Sequence, residues 1–275
     1  MSAIDREGCE VLVSHSTQVR RYVLEMMTRS KSSHIGSCYS IVDILVTLYF
    51  HSLRYDIQAP EWQGRDRFIL SKGHGSAALY ATLAVRGALA ISDLDRYYCD
   101  DGLLPGHMDR NALPYVESSA GSLGHGLSIG LGMALANERQ GNPGHVFVLL
   151  GDGECNEGSV WEAVMLAAQL RLKNLTAIID YNKLQSFGRT NEVINQEPMA
   201  ERWNAFGWET FEVDGHNHMQ LANAIAEVSA LPKVIIAHTV KGKGVSFMED
   251  SLEWHYKSPN PEQFTLACIE LEARQ

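Results

Sequence analysis

Apolar positions along this chain change their period several times, and each change marks a predicted element. Val19, Tyr22, Val23, Met26 and Met27 recur at three- and four-residue spacing and predict an amphipathic helix. Ser33-His34-Ile35-Gly36-Ser37 reads as a turn, and the apolar run 41–50 after it predicts a second, buried helix. Arg67-Phe68-Ile69-Leu70 reads as a short buried strand, leading through Ser71-Lys72-Gly73-His74-Gly75-Ser76 into a helix of small residues, 77–85. Residues 100–125 are rich in Gly, Pro, Ser and Asn and read as ordered loop, which inside a compact domain is often functional. Residues 126–139 predict a helix whose small residues, Gly130 and Ala134, permit close packing.

The second half alternates. Strands are predicted over 146–150, 175–180, 210–213 and 234–237, separated by helices over 159–170, 199–206 and 219–228. A last helix is predicted over 259–272, entered through Ser-Pro-Asn-Pro. Strands alternating with helices predict an α/β fold, a mostly parallel sheet with helices on both faces. There is no internal repeat, low-complexity linker or visible boundary, so one domain over 1–275 is expected.

Composition narrows the function. The net charge of -10 disfavours binding to nucleic acid or anionic membranes unless basic residues are segregated. The longest basic clusters are only Arg20-Arg21 and Lys241-Gly242-Lys243. The first residues lack a basic stretch followed by an apolar one, and no apolar run approaches the ~20 residues that span a bilayer. Five scattered cysteines with no Cys-x-x-Cys suit a reducing compartment, so a cytoplasmic protein is expected.

The chemistry-bearing motif is Gly151-Asp152-Gly153, directly after a predicted strand. In open parallel sheets, ligands bind beyond the carboxyl ends of the strands. The glycines allow a sharp turn and close backbone approach to a phosphate, and a helix N-terminus follows. Asn182 lies one strand-helix-strand unit later, so it should sit at a neighbouring strand end. A carboxylate oxygen of Asp152, the amide oxygen of Asn182 and a nearby backbone carbonyl form a hard oxygen set suited to Mg²⁺ carrying a diphosphate. A lone Gly-Asp-Gly is better read as a plain Gly-rich turn beside an unrelated Asn.

Taken with its other motifs, the chain resembles the thiamine diphosphate enzymes and, among them, the N-terminal half of transketolase. Gly-Asp-Gly followed some thirty residues later by Asn is the family signature. Ser33-His34-Ile35-Gly36 resembles the family turn whose His faces the reacting carbon. Gly73-His74-Gly75-Ser76 resembles the one whose His contacts cofactor phosphate, and Pro105-Gly106-His107 the one whose His meets substrate hydroxyls. Gly121-Ser122-Leu123-Gly124 resembles the loop lying against the cofactor, with Ser122 in place of the usual proline. Gly153 and Glu154 fall in the cofactor-binding turn. Glu157 matches a residue implicated in subunit contact and proton coupling. His255 matches a late histidine near diphosphate and substrate. His125 stands where larger transketolases commonly have Gln, and Lys241-Gly242-Lys243-Gly244 looks more like the split transketolases.

The resemblance implies two-carbon ketol transfer from a ketose (phosphate) to an aldose, with thiamine diphosphate and Mg²⁺. His34, His107, His255 and Glu157 would be catalytic. His74, Gly121, Ser122, Leu123, Gly153, Glu154, Asn182 and His255 would bind cofactor, and Asp152, Asn182 and Leu184 the metal. It also implies a second, pyrimidine-binding domain supplying the activating glutamate. Here that domain is expected on a partner subunit, with self-association through this chain giving a heterotetramer. The competing readings are the diphosphate-binding subunit of a 2-oxo acid dehydrogenase, a fragment of a pyruvate-using synthase, and a non-catalytic regulatory subunit. Gly73–Ala78 also fits a dinucleotide pattern, which nothing else in the chain supports. His216 and His218 are read as helix-capping residues rather than a metal pair, and Met26, Met27, Trp161, Met165 and Cys155 as core or interface.

Overall fold

The structure, a computed structural model, describes residues 4–273. Helix α1 (Arg6–Ser30) starts where Asp5 Oδ1 accepts the Gly8 N–H at 2.8 Å, and it ends at Lys31 in a left-handed conformation. Its predicted apolar face is buried: Val19, Val23, Met26 and Met27 lie within the core, with Tyr22 packed against it. The expected turn at 33–37 is shorter than the sequence suggests. Helix α2 (Ile35–Ser40) already starts at Ile35, and α3 (Val42–Thr47) opens into a π-helical turn over Leu48–Ser52.

Strands β1 (Arg67–Leu70), β2 (Val146–Gly151), β3 (Leu175–Tyr181), β4 (Glu209–Asp214) and β5 (Lys233–His238) form a parallel sheet in the order β1-β2-β3-β5-β4. Because strand side chains alternate between faces, the sheet feeds two apolar clusters. Phe68, Leu70, Phe147, Leu149, Ile178 and Ile235 pack with α1, α3, α4 (Ser76–Val85), α9 (His218–Ala226) and α10 (Pro261–Glu272). Ile69, Val148, Leu150, Ile179 and Ile236 pack with α5 (Gly126–Gln140), α6 (Gly158–Gln169) and α8 (Met199–Ala205). The small face predicted on α5 is used: a Cβ on Gly130 would stand 2.5 Å from Val148 Cγ2. The short helix α7 (Thr190–Val193) had no apolar pattern to announce it.

Helix ends follow their local chemistry. Asn260 and Gln263 form a capping box at α10, with Pro261 in the first turn. The N-cap of α9 is Asn217, whose Oδ1 accepts the Gln220 N–H at 3.1 Å. The capping role expected of His216 and His218 is therefore wrong; both rings turn inward toward Asp43 and Thr47, where buried partners are available. Met26, Met27 and Cys155 are core, Trp161 stacks on Phe206, and Met165 is exposed. All five cysteines are unpaired. Among the described residues, no helix is long and apolar enough to cross a membrane.

Candidate active site

Parallel pairing brings every strand's carboxyl end to one edge of the sheet. There a cleft of about 490 Å³ opens among the exits of β1, β2, β3 and β5, the start of α2 and the long loop before α5. Gly151 is in register with Asp180, and Tyr181 with His238, so residues far apart in sequence leave the sheet side by side.

Asp152 follows β2 and is 3% exposed. Its Oδ1 accepts the Gly153 N–H at 2.7 Å, and its Oδ2 accepts the Lys183 N–H at 2.7 Å and the Thr190 hydroxyl at 3.0 Å. All three donors are neutral. Burial, followed by the nearby Asp180 carboxylate, pushes the Asp152 pKa up from its ordinary 3.8 to about 6, against the pull of those hydrogen bonds. Asn182 Oδ1 accepts the Leu184 N–H at 3.0 Å, and its Nδ2 donates to Asp180 Oδ2 at 2.8 Å.

Asp180 is a residue that sequence reasoning missed. It is fully buried at the end of β3, where it accepts from Lys72 Nζ at 2.5 Å, Ser40 Oγ at 2.7 Å and Thr239 Oγ1 at 2.5 Å as well as from Asn182. Burial alone would raise its pKa, but the Lys72 ammonium and these donors hold it below the ordinary value. The carboxylate thus joins the exits of β1, β3 and β5 to α2 and fixes which face of the Asn182 amide turns away from it.

The four histidines singled out in the sequence converge. The ring of His34 lies 5.2 Å from that of His74, 6.2 Å from His107 and 4.9 Å from His255, centroid to centroid. His34 holds a left-handed backbone (φ +80°) at the N-cap of α2, its N–H donating to the His255 carbonyl at 2.8 Å. A non-glycine residue held in that region is a local strain that functional sites often carry. Burial, then the His107 ring and the Lys241 and Lys72 ammoniums, lowers the His34 pKa to about 4. Burial, then Lys241, lowers His255 to about 3. His74 is driven well below its ordinary value, by burial first and Lys72 second. These three imidazoles are neutral near pH 7.

No role for Lys241 was legible in the sequence. Its buried Nζ donates to the Leu184 carbonyl at 3.0 Å and to His255 Nδ1 at 2.9 Å. Burial, then Lys72, lowers its pKa to about 8, opposed by Asp180 and Asp152. Glu154 lines the cleft, but its carboxylate is taken up by the protein: Ser71 Oγ and the Gly124 N–H donate to Oε1, the Gly151 N–H to Oε2. It ties the 121–124 loop to β1 and β2. Gly121 and Leu123 line the cleft, whereas Ser122, expected to touch cofactor, is exposed and outside the lining. Glu157 stands exposed at the rim. Gly73 and Gly75 need their missing side chains for protein packing, since a Cβ on either would lie 2.8 Å from Ala120 Cβ or Ile41 Cδ1. That accounts for the dinucleotide-like pattern without a nucleotide.

Residues 13–262 match the family described as "Transketolase, thiamine diphosphate binding domain". The chain is 39% identical over 257 residues to the 6-deoxy-6-sulfo-D-fructose transketolase subunit of a Clostridium species, covering 92% of this chain and 94% of that protein. It is 39% identical over 268 residues to an apulose-4-phosphate transketolase subunit of Phocaeicola vulgatus, covering 96% and 95%. Its fold superposes on the transketolase of Campylobacter jejuni with a TM-score of 0.90 at 29% identity, over 96% of this chain and 43% of that one. The chain therefore spans under half the length of that transketolase and nearly all of the two subunits.

Proposed function

The chain belongs to the transketolase thiamine diphosphate binding family, and from that premise we propose that it is the diphosphate-binding subunit of a two-subunit transketolase. The observation carrying this reading is the cleft itself. Four histidines, two lysines and an Asp–Asn pair from seven chain segments meet at the carboxyl edge of a parallel sheet.

The residues fit a divalent cation and a diphosphate. Asp152 is a buried carboxylate whose hydrogen-bond donors are all neutral and whose pKa is raised, the condition a cation relieves. The Nε2 of Gln185, beside Gly153 in the cleft, is a buried donor with no protein acceptor. Asp152, Asn182 and the Leu184 carbonyl would hold Mg²⁺, an all-oxygen set of the kind that ion takes with phosphate, with the Lys241 ammonium turning from that carbonyl toward the diphosphate. Gln185, His74 and Lys241 would meet the diphosphate, and Gly121, Leu123 and the Gly153 turn would lie against the cofactor. Thiamine diphosphate, when bound, supplies carbanion chemistry at a ketose carbonyl.

The remaining work falls to this chain's own side chains. The imidazoles of His34, His107 and His255 would hold substrate hydroxyls, polarise the carbonyl and pass protons. Lys241, bonded to His255 Nδ1, sets which ring nitrogen faces the cleft. Glu157 at the rim would meet a neighbouring subunit. The pyrimidine-binding domain and its activating glutamate would come from the partner, as the names of the two relatives of similar length support. Exposed Ile129, Met165, Leu166, Phe187 and Ile194 support burial against other subunits, in a tetramer of two copies of each. Sulfofructose and apulose phosphate in the relatives' names support a specialised ketose substrate, and the unpaired cysteines support a cytoplasmic enzyme.

The test is co-expression with the partner subunit, followed by an assay of two-carbon transfer from ketose phosphates and sulfosugars, with Mg²⁺ and thiamine diphosphate, beside each chain by itself. Activity in the mixture only is expected. Pyruvate turnover without a sugar, cofactor binding without chemistry, or full activity of this chain alone would overturn the proposal.

A further inference from the structure

A second buried polar cluster lies behind the cleft, between α1, α3, the β4–α9 turn and the exit of β5. Arg20, 7% exposed, grips Asp43 with both terminal nitrogens, Nη1 to Oδ1 at 3.0 Å and Nη2 to Oδ2 at 2.6 Å. Asp43 Oδ2 also meets His216 Nδ1 at 2.7 Å. On its other side, His216 Nε2 lies 2.8 Å from the backbone nitrogen of Val240. A carboxylate only accepts and a backbone N–H only donates, so these contacts specify one tautomer: Nδ1–H donates to Asp43 and the Nε2 lone pair accepts from Val240. Burial alone would raise the Asp43 carboxyl, but the Arg20 guanidinium and the His216 hydrogen bond outweigh it and hold it below the carboxylate range, which keeps the acceptor charged.

Val240 immediately precedes Lys241. The segment leaving β5 is anchored residue by residue: Thr239 Oγ1 to Asp180, the Val240 N–H to His216, and Lys241 Nζ to Leu184 and His255. Gly215 makes this contact possible, since a Cβ there would stand 2.4 Å from Thr239 Cγ2 and push the β4–α9 turn away from the β5 exit. His216 lies outside the cleft lining, so whatever it does for the site it does through its neighbours.

We propose that His216 is a positioning residue, through which the Arg20–Asp43 pair holds the Val240–Lys241 backbone so that the Lys241 ammonium is aimed into the cleft. The inference rests on the reading of that cleft as a diphosphate site. Removing the hydrogen-bonding partners behind metal ligands typically costs about 10- to 100-fold in affinity or activity, and the lower end of that range is expected behind an ammonium that meets a diphosphate.

The experiment titrates thiamine diphosphate in Mg²⁺ into the full chain, by itself or with the partner subunit, and follows the melting of each ligand-free variant. His216→Phe should weaken cofactor affinity roughly tenfold. His216→Gln, whose amide can donate to Asp43 and accept from Val240, should recover most of that loss and covers the case in which the Phe variant fails to fold. The decisive variant is His216→Phe combined with Lys241→Ala, which should bind no more weakly than Lys241→Ala alone, because a positioning residue has nothing left to position. Independent, additive losses at the two sites, or unchanged affinity in His216→Phe beside a binding wild type, overturn the inference alone. A wild-type chain that binds no thiamine diphosphate in either setting overturns the reading of the cleft and this inference with it.

Discussion

Asp152→Asn should stabilise the ligand-free protein at pH 8 while abolishing its response to Mg²⁺ and cofactor. The Asp152 pKa is raised from 3.8 to about 6. For an acid whose pKa is raised on folding, the folded state binds more protons than the unfolded chain between the two values. The penalty is therefore absent below about pH 4, grows through about pH 6 and is constant above. About two pKa units correspond to roughly 3 kcal/mol. Asparagine removes the charge, but it must point its amide nitrogen at one of the present donors. With Oδ1 kept toward the Lys183 N–H and the Thr190 hydroxyl, the amide nitrogen faces the Gly153 N–H, a lost bond costing about 1–2 kcal/mol. The net expectation is a gain of about 1–2 kcal/mol at pH 8, or a Tm rise of roughly 2–4 °C. At pH 4 the sign reverses, because the wild-type carboxyl is then protonated and only the lost hydrogen bond remains. Urea denaturation at both pH values measures the difference, and melting with Mg²⁺ and thiamine diphosphate, which should rise for the wild type alone, measures the function. A variant less stable than wild type at pH 8, or a difference that does not change with pH, would refute the reasoning.

Three further perturbations probe the same edge of the sheet. Lys72→Met strands the buried Asp180 charge and should cost about 3–5 kcal/mol in urea unfolding at pH 8, while the double variant Lys72→Met/Asp180→Asn should regain much of it; a double variant worse than the single one contradicts the pairing. Gly124→Ala should destabilise by about 1–3 kcal/mol, since φ is +84° and the new Cβ would stand 2.6 Å from Glu157 Cβ; an unchanged Tm would contradict it. His255→Asn in the reconstituted enzyme should lower kcat by roughly 100-fold and leave the acidic limb of the pH profile between pH 5 and 7 in place, because the His255 pKa of about 3 lies outside that window; loss of the limb would show that this imidazole titrates there.

How much of this protein is legible before folding depends on the range of the interactions involved. The alternation of apolar strands and amphipathic helices is local, and it determined a parallel sheet covered on both faces. Parallel connection then determined that Asp152 and Asn182, one strand-helix-strand unit apart, leave adjacent strands at the same edge, as β2 and β3 do. The four histidines were readable because each sits in a short motif of its own, even though only folding brings their rings together. Nothing comparable marks Lys72 and Asp180, which are 108 residues apart in sequence, or His216 and Asp43, and the motif that holds Lys241 assigns its side chain no role. Each is an ordinary charged or polar residue until burial removes its water and leaves the others as its partners. The tertiary structure also decided what motif positions alone could not. Ser122 faces outward while its neighbours Gly121 and Leu123 line the cleft, and the Glu154 carboxylate is consumed by Ser71 and two backbone N–H groups. Periodicity and chain connection set which strands meet; desolvation, a property of the whole packed molecule, sets which charges pair and which are left for a ligand.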